Sequence, residues 1–176
     1  MTRRGEVDVA AKSSTRFSKI ARIWFLAGAL GSLTAATSDS ASYPTGFQRW
    51  EHVHSGVVLP GSPAYPGFGG IHDTYGNAIA MRGYPAGKYA DGSVFVFDVH
   101  HEVVGKGSIE PAKRRQVDVM VKRKGVWDYF EFKGDSRTEL SVTVAQGRSQ
   151  CAGCHDGAKR DHVFREEDAA PAMPSS

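Results

Sequence analysis

Two thiols and an imidazole fall within five consecutive residues late in the chain: Cys151, Ala152, Gly153, Cys154 and His155. A CxxCH spacing lets both thiols add across the vinyl groups of one haem as thioethers and sets the adjoining imidazole beneath the iron as an axial ligand. A lone CxxC also serves as a redox disulfide or half of a zinc site. Zinc takes four ligands, however, and a thioredoxin-like motif opens a helix after an early strand. Here the two cysteines are the only ones in the chain, and histidine follows them directly. The reading is one covalent haem c, with Cys151 and Cys154 as attachment points and His155 as the metal ligand.

Such attachment takes place outside the bacterial cytoplasm, and the first 38 residues have the form of an export signal. Arg3, Arg4, Lys12, Arg16, Lys19 and Arg22 precede a charge-free apolar run over residues 23–36, followed by small residues. Cleavage is expected after Ala36 or Ser38. The run is short and rich in Gly and Ala for a membrane span, so a cleaved signal is expected over the alternative of an uncleaved anchor, with no membrane association after cleavage and the periplasm as the expected compartment. The signal holds six of the 22 Lys+Arg and two of the 19 Asp+Glu, which leaves 16 basic and 17 acidic residues. The formal charge of +3 therefore belongs to the leader and gives no reason to expect a nucleic-acid partner. About 138 residues remain, enough for one core with a haem to cover. The expected organisation is a signal over 1–38, a haem c domain over 39–168 and a disordered tail over 169–176.

The scaffold reads as mainly β, an antiparallel sheet with short helices. Pro44, Pro60, Pro63, Pro66 and Pro85 punctuate a turn-rich N-terminal third. Residues 52–59 and 71–75 have strand character, and SVFVFDV over 93–99 follows an Asp91-Gly92 turn as a central strand. QVDVMVK over 116–122 places Val117, Val119 and Val121 on one face and Gln116, Asp118, Met120 and Lys122 on the other. Residues 127–132 return as its partner through a turn at Lys124 and Gly125. Residues 139–150 suit either helix or strand, and helical turns are expected around the haem motif. Long amphipathic helices of the four-helix-bundle cytochromes c′ are missing. An early CxxCH with a downstream axial methionine, the pattern of small electron carriers, is missing too, since Met173 is the only methionine after the motif.

YPTGFQRWEHV at 43–53, DGSVFVFDV, VMVK, the aromatic spacing after Trp127, and CAGCHDGAKRDHVF together resemble the β-sheet haem proteins comprising cytochrome P-460 and cytochrome c′-β. Lys159, Asp161, Val163 and Phe164 match the block that follows the haem motif in that group. The resemblance implies a homodimer of antiparallel β-sheet subunits, each with a five-coordinate haem c. Cytochrome P-460 carries a haem-linked lysine in the DG-x-V-x-V strand and oxidises hydroxylamine. Phe97 stands there in this chain and has no nitrogen to make that bond, so the resemblance is to the cytochrome c′-β branch. The resemblance implies that Phe97, with Phe68 of PGFGGIH, forms an apolar distal cap and that Asp118 matches a carboxylate near the iron in the enzymes; the plainer alternative for Asp118 is a solvated or salt-bridged residue on the polar face of its strand.

An open sixth position makes the distal pocket decisive. Apolar crowding by Phe68 and Phe97 disfavours water and dioxygen and tolerates nitric oxide or carbon monoxide, so small diatomic gases are the expected ligands. A redox partner protein is a further expected partner, and Lys113, Arg114 and Arg115 are candidates to pair haem propionates or to dock it; a solvated strand-edge charge run is the plainer alternative. His72, four residues after Phe68, is a candidate distal hydrogen-bond donor or alternative sixth ligand. His52 and His54, placed on one strand face, and the adjacent His100 and His101 lack a third ligand for a separate metal. Met81 and Met120 read as packing residues and Lys88 as a loop lysine. Competing functions are an oxidoreductase, acting on hydroxylamine or nitric oxide or as a weak peroxidase, and a simple electron carrier.

Overall fold

The computed structural model describes residues 40–165; the expected leader over 1–38, the tail over 169–176 and Met173 lie outside them. Among the described residues no helix is long and apolar enough to cross a membrane. Six strands, β1 (Glu51–Val58), β2 (Gly70–Gly76), β3 (Val94–Val104), β4 (Ile109–Arg123), β5 (Val126–Lys133) and β6 (Leu140–Val142), form one sheet in the order of the chain. Every neighbouring pair is antiparallel. The mainly β reading is borne out, with four short helices: α1 (Tyr65–Phe68), α2 (Ala78–Gly83), α3 (Val144–Gln150) and α4 (Ala152–His155). Residues 139–150 resolve the sequence's ambiguity by being both, β6 and then α3.

The β4–β5 turn follows from backbone sterics. Lys124 and Gly125 both have positive φ, 52° and 77°, as a two-residue type I′ turn requires to match the strand twist. That turn fixes the register. Arg123 lies opposite Val126 and, counting back, Asp118 lies opposite Glu131 and Met120 opposite Tyr129.

The alternation on β4 separates two faces. Val117, Val119 and Val121 join Val96, Phe130 and Phe132 in a core that Phe47 and Val144 close, with Tyr43, Trp50 and Leu140 at its margin. Phe47, Val96 and Val117 are completely buried there. Phe47 comes from a short 3-10 turn, residues 47–49, whose ring meets Tyr75 edge-on. On the opposite face Phe95, Met120 and Tyr129 pack with Ala80, Tyr89, Trp127 and Val163 at one end of the sheet. The other end of that face carries Phe97, Asp118 and Glu131, aligned across β3, β4 and β5.

Two expectations change here. A register shift between His52 and His54 gives β1 a bulge, and a bulge turns successive side chains to the other side. His52 packs on Tyr75 of the closed face and His54 on His72 of the opposite one, so they do not share a face. The Lys113–Arg115 run is not a strand edge either, because β4 extends back to Ile109 and lies between β3 and β5.

Candidate haem site

The attachment motif is held by a well-capped helix. Thr143 accepts from the Gln146 backbone while the Gln146 side chain accepts from the Thr143 backbone, a reciprocal capping box at the start of α3. Gly147 lets α3 lie flush on β5. A Cβ there would stand 1.9 Å from the Tyr129 carbonyl oxygen, closer than any side chain can approach. Cys151 ends α3 and begins α4. One helical turn then sets Cys154 and His155 three and four residues on, on one face; the backbone N–H groups of both donate to the Cys151 carbonyl, at 3.1 and 3.2 Å. Both thiols are free, Cys151 half-buried and Cys154 exposed. Burial, and after it the carboxyls of Asp118 and Glu131, push the Cys151 thiol up, so it is protonated at neutral pH.

His155 is oriented from behind. Its Nδ1 lies 2.7 Å from the His162 carbonyl oxygen, and since a carbonyl only accepts, Nδ1 carries the proton and Nε2 keeps its lone pair for a metal. Burial is the main cause that lowers the imidazole's pKa, which keeps it neutral and able to ligate. The ring packs against Tyr129, with centroids 4.7 Å apart, and against Phe164 at 5.3 Å. The His162 carbonyl is presented by two successive left-handed residues, Asp161 (φ 50°) and His162 (φ 66°), an uncommon conformation for residues other than glycine. Asp161 anchors it. Its carboxylate accepts from the Tyr89 backbone at 3.0 Å, Lys122 Nζ at 2.5 Å and Trp127 Nε1 at 3.3 Å. Burial alone would raise this carboxyl, but those bonds and the lysine charge outweigh it and hold the pKa below the usual range.

Phe68 and Phe97, 29 residues apart in sequence, meet edge-on, with centroids 6.1 Å apart and planes at 86°. His72 stacks on Phe97 with ring centroids 4.4 Å apart. It is 8 % exposed, and its Nδ1 has no hydrogen-bond partner. Burial and the nearby His54 lower its pKa. Asp118, directly opposite Phe97, receives both hydrogen bonds that Gln116 Nε2 donates, at 3.1 and 2.9 Å. Its pKa is pushed up chiefly by burial and then by the Glu131 carboxylate across the strand.

Several contributors escape a reading of the motif alone. Glu131 was derivable, since a two-residue turn at Lys124-Gly125 forces it opposite Asp118. The same count places Tyr129 opposite Met120, while its contact with His155 depends on how α4 docks. The hub made by Asp161 joins residues 39 and 72 positions apart and has no local signal. Of the basic cluster, Arg114 pairs with buried Asp98, at 2.6 Å, and with Asp135, while Arg115 turns toward α1. Met120 is buried in the packed end of the face, as read from sequence, and Lys88 is an exposed loop residue.

The residues fit a covalently bound haem. Two thiols and a neutral imidazole stand on one helical turn, the imidazole tautomer is fixed by a backbone carbonyl, and the buried polar atoms His72 Nδ1 and Tyr129 Oη lack protein partners on the same sheet face. Cys151 and Cys154 would hold the group, and His155 its iron. Among the described residues no cluster of three or more His, Cys, Asp or Glu side chains is arranged for another metal.

No curated protein matches the chain. The profile of the Cytochrome P460 family matches residues 44–165, a span that takes in the whole sheet, both phenylalanines and the CxxCH turn. A haem is implied by that match as well as by the thiols and imidazole on α4, and the chain belongs to the Cytochrome P460 family.

Proposed function

We propose that this protein is a periplasmic, homodimeric cytochrome with one haem c that binds nitric oxide or carbon monoxide beneath an apolar cap. A haem held by Cys151, Cys154 and His155 would supply an iron able to coordinate a diatomic ligand. The observation that carries the reading is the edge-on contact of Phe68 and Phe97 on the sheet face that also bears Asp118 and Glu131. Two aromatic rings there crowd out water and themselves offer no hydrogen-bond donor to bound dioxygen, whereas nitric oxide and carbon monoxide bind ferrous iron without one. His155 keeps Nε2 available through its bond to His162. Phe97 cannot form the lysine cross-link that accompanies hydroxylamine oxidation.

Asp118 and Glu131 favour a second reading, an oxidoreductase acting on hydroxylamine or nitric oxide. Burial, and after it the Glu131 carboxylate, push the Asp118 carboxyl up toward its protonated form, and a carboxyl beside a reacting ligand can exchange a proton with it. The test is the absorption spectrum of the ferrous protein before and after addition of each gas, with hydroxylamine turnover measured on the same preparation. A high-spin spectrum that shifts with either gas, without turnover, is expected. Turnover would replace the proposal with the enzyme, and a low-spin spectrum indifferent to both gases would replace it with an electron carrier.

A further inference from the structure

Phe68 reaches Phe97 from α1, a helix of four residues with no side-chain cap at its N-terminus. So short a helix cannot hold itself in water, and its last carbonyls have no helical partners. The ring it carries is 46 % exposed, so packing alone does not fix it. The fixing comes from the strand below. Arg115 of β4 directs its guanidinium into the turn: Nη1 donates to the Gly69 carbonyl at 3.1 Å and to the Tyr65 carbonyl at 3.4 Å, and Nη2 donates to the Pro66 carbonyl. A second tether runs from the hydroxyl of Tyr65 to Glu102 of β3 at 2.7 Å. Three acceptors spread over one turn suit the planar fork of arginine and cannot be spanned by the single ammonium of lysine.

We infer that Arg115 is a positioning residue that clamps α1 and so sets the Phe68 cap over Phe97, controlling how fast a small ligand enters. This rests on the gas-binding reading for its functional half. The structural half stands without it. Phe68 N–H donates to Ala64 and Gly69 N–H to Tyr65, and both bonds depend on the turn staying formed.

The experiment uses the haem-loaded protein and the variants Arg115→Met, Arg115→Lys, Phe68→Ala and Arg115→Met/Phe68→Ala. Amide hydrogen exchange at Phe68 and Gly69 is measured alongside carbon monoxide association by flash photolysis. Both Arg115 single variants are expected to lose protection at these two amides, with the β4 amides unchanged, and to bind carbon monoxide about two- to tenfold faster, the size of one aromatic contact. Adding Arg115→Met to Phe68→Ala should then change the rate no further. Unchanged exchange, a wild-type rate in Arg115→Lys, or an equal rate change with and without Phe68 would each overturn the clamp. If exchange rises as expected but no form, wild type included, binds either gas, the gas-binding proposal fails while the clamp on α1 stands.

Discussion

The two faces of the sheet are built from neighbouring residues of the same strands, yet they are finished differently. On one, valines and phenylalanines of β3, β4 and β5 meet Phe47, Tyr43 and Val144, and the core is closed by the chain itself. On the other, the same strands present Phe97, Asp118, Glu131 and Tyr129, with a cross-strand carboxyl pair and the buried, unpartnered atoms His72 Nδ1 and Tyr129 Oη. Buried polar atoms without partners are costly, so the second face is incomplete as a purely protein surface. The difference separates a face that the chain closes with its own side chains from one that keeps buried polar atoms unpaired.

The sharpest way to break that comparison is a matched pair of truncations. Phe132→Ala on the closed face should cost about 3–5 kcal/mol, as for a buried aromatic that leaves a cavity. Phe97→Ala on the other should cost about 1 kcal/mol because that ring is only half-buried. Urea denaturation of the two haem-free variants checks this, and equal costs would mean that both faces are structural cores. Next in size is Asp161→Asn, which takes the counter-charge from nearly buried Lys122 and loosens the His162 carbonyl; a loss of about 2 kcal/mol is expected. The folded carboxyl lies below its unfolded value, so its contribution is present above about pH 3.9 and is lost as pH falls through the folded pKa. The variant should lack that acid-dependent segment of the stability profile. Smallest is Asp118→Asn, with the opposite sign. A carboxyl raised in the folded state favours folding below about pH 3.9 and loses that contribution as pH rises through its folded pKa. The haem-free variant should therefore be somewhat more stable than wild type at neutral pH, and a thermal melt at pH 7 showing a decrease would sink this account of Asp118 as a strained acid.

Much of the sheet was legible because its signals are local. Alternation in QVDVMVK, the Lys124-Gly125 turn and the aromatic run after Trp127 specify β4, β5 and their register within 20 residues. The CxxCH turn was legible because covalent chemistry demands that spacing. The β1 bulge was not, since one extra residue leaves the local composition of EHVHSGVV unchanged while reversing which face His54 meets. The true extent of β4 was hidden for a related reason. The Lys113–Arg115 run looks like a solvated surface, but Arg114 pairs with Asp98 and Arg115 serves carbonyls that lie about 50 positions earlier, and contacts so distant leave no periodic trace.

Because each strand pairs only with those before and after it in the chain, the sheet can grow from hairpin to hairpin without threading any segment through another. Low sequence separation between partners favours rapid folding. The long closures fall elsewhere, at Asp161, which must find Tyr89 and Lys122 far upstream. The expected order is therefore a sheet assembled early and the turn that carries His155 seated late. Cys154 is exposed on the finished fold, so its thiol stays accessible from solvent both before and after that final docking.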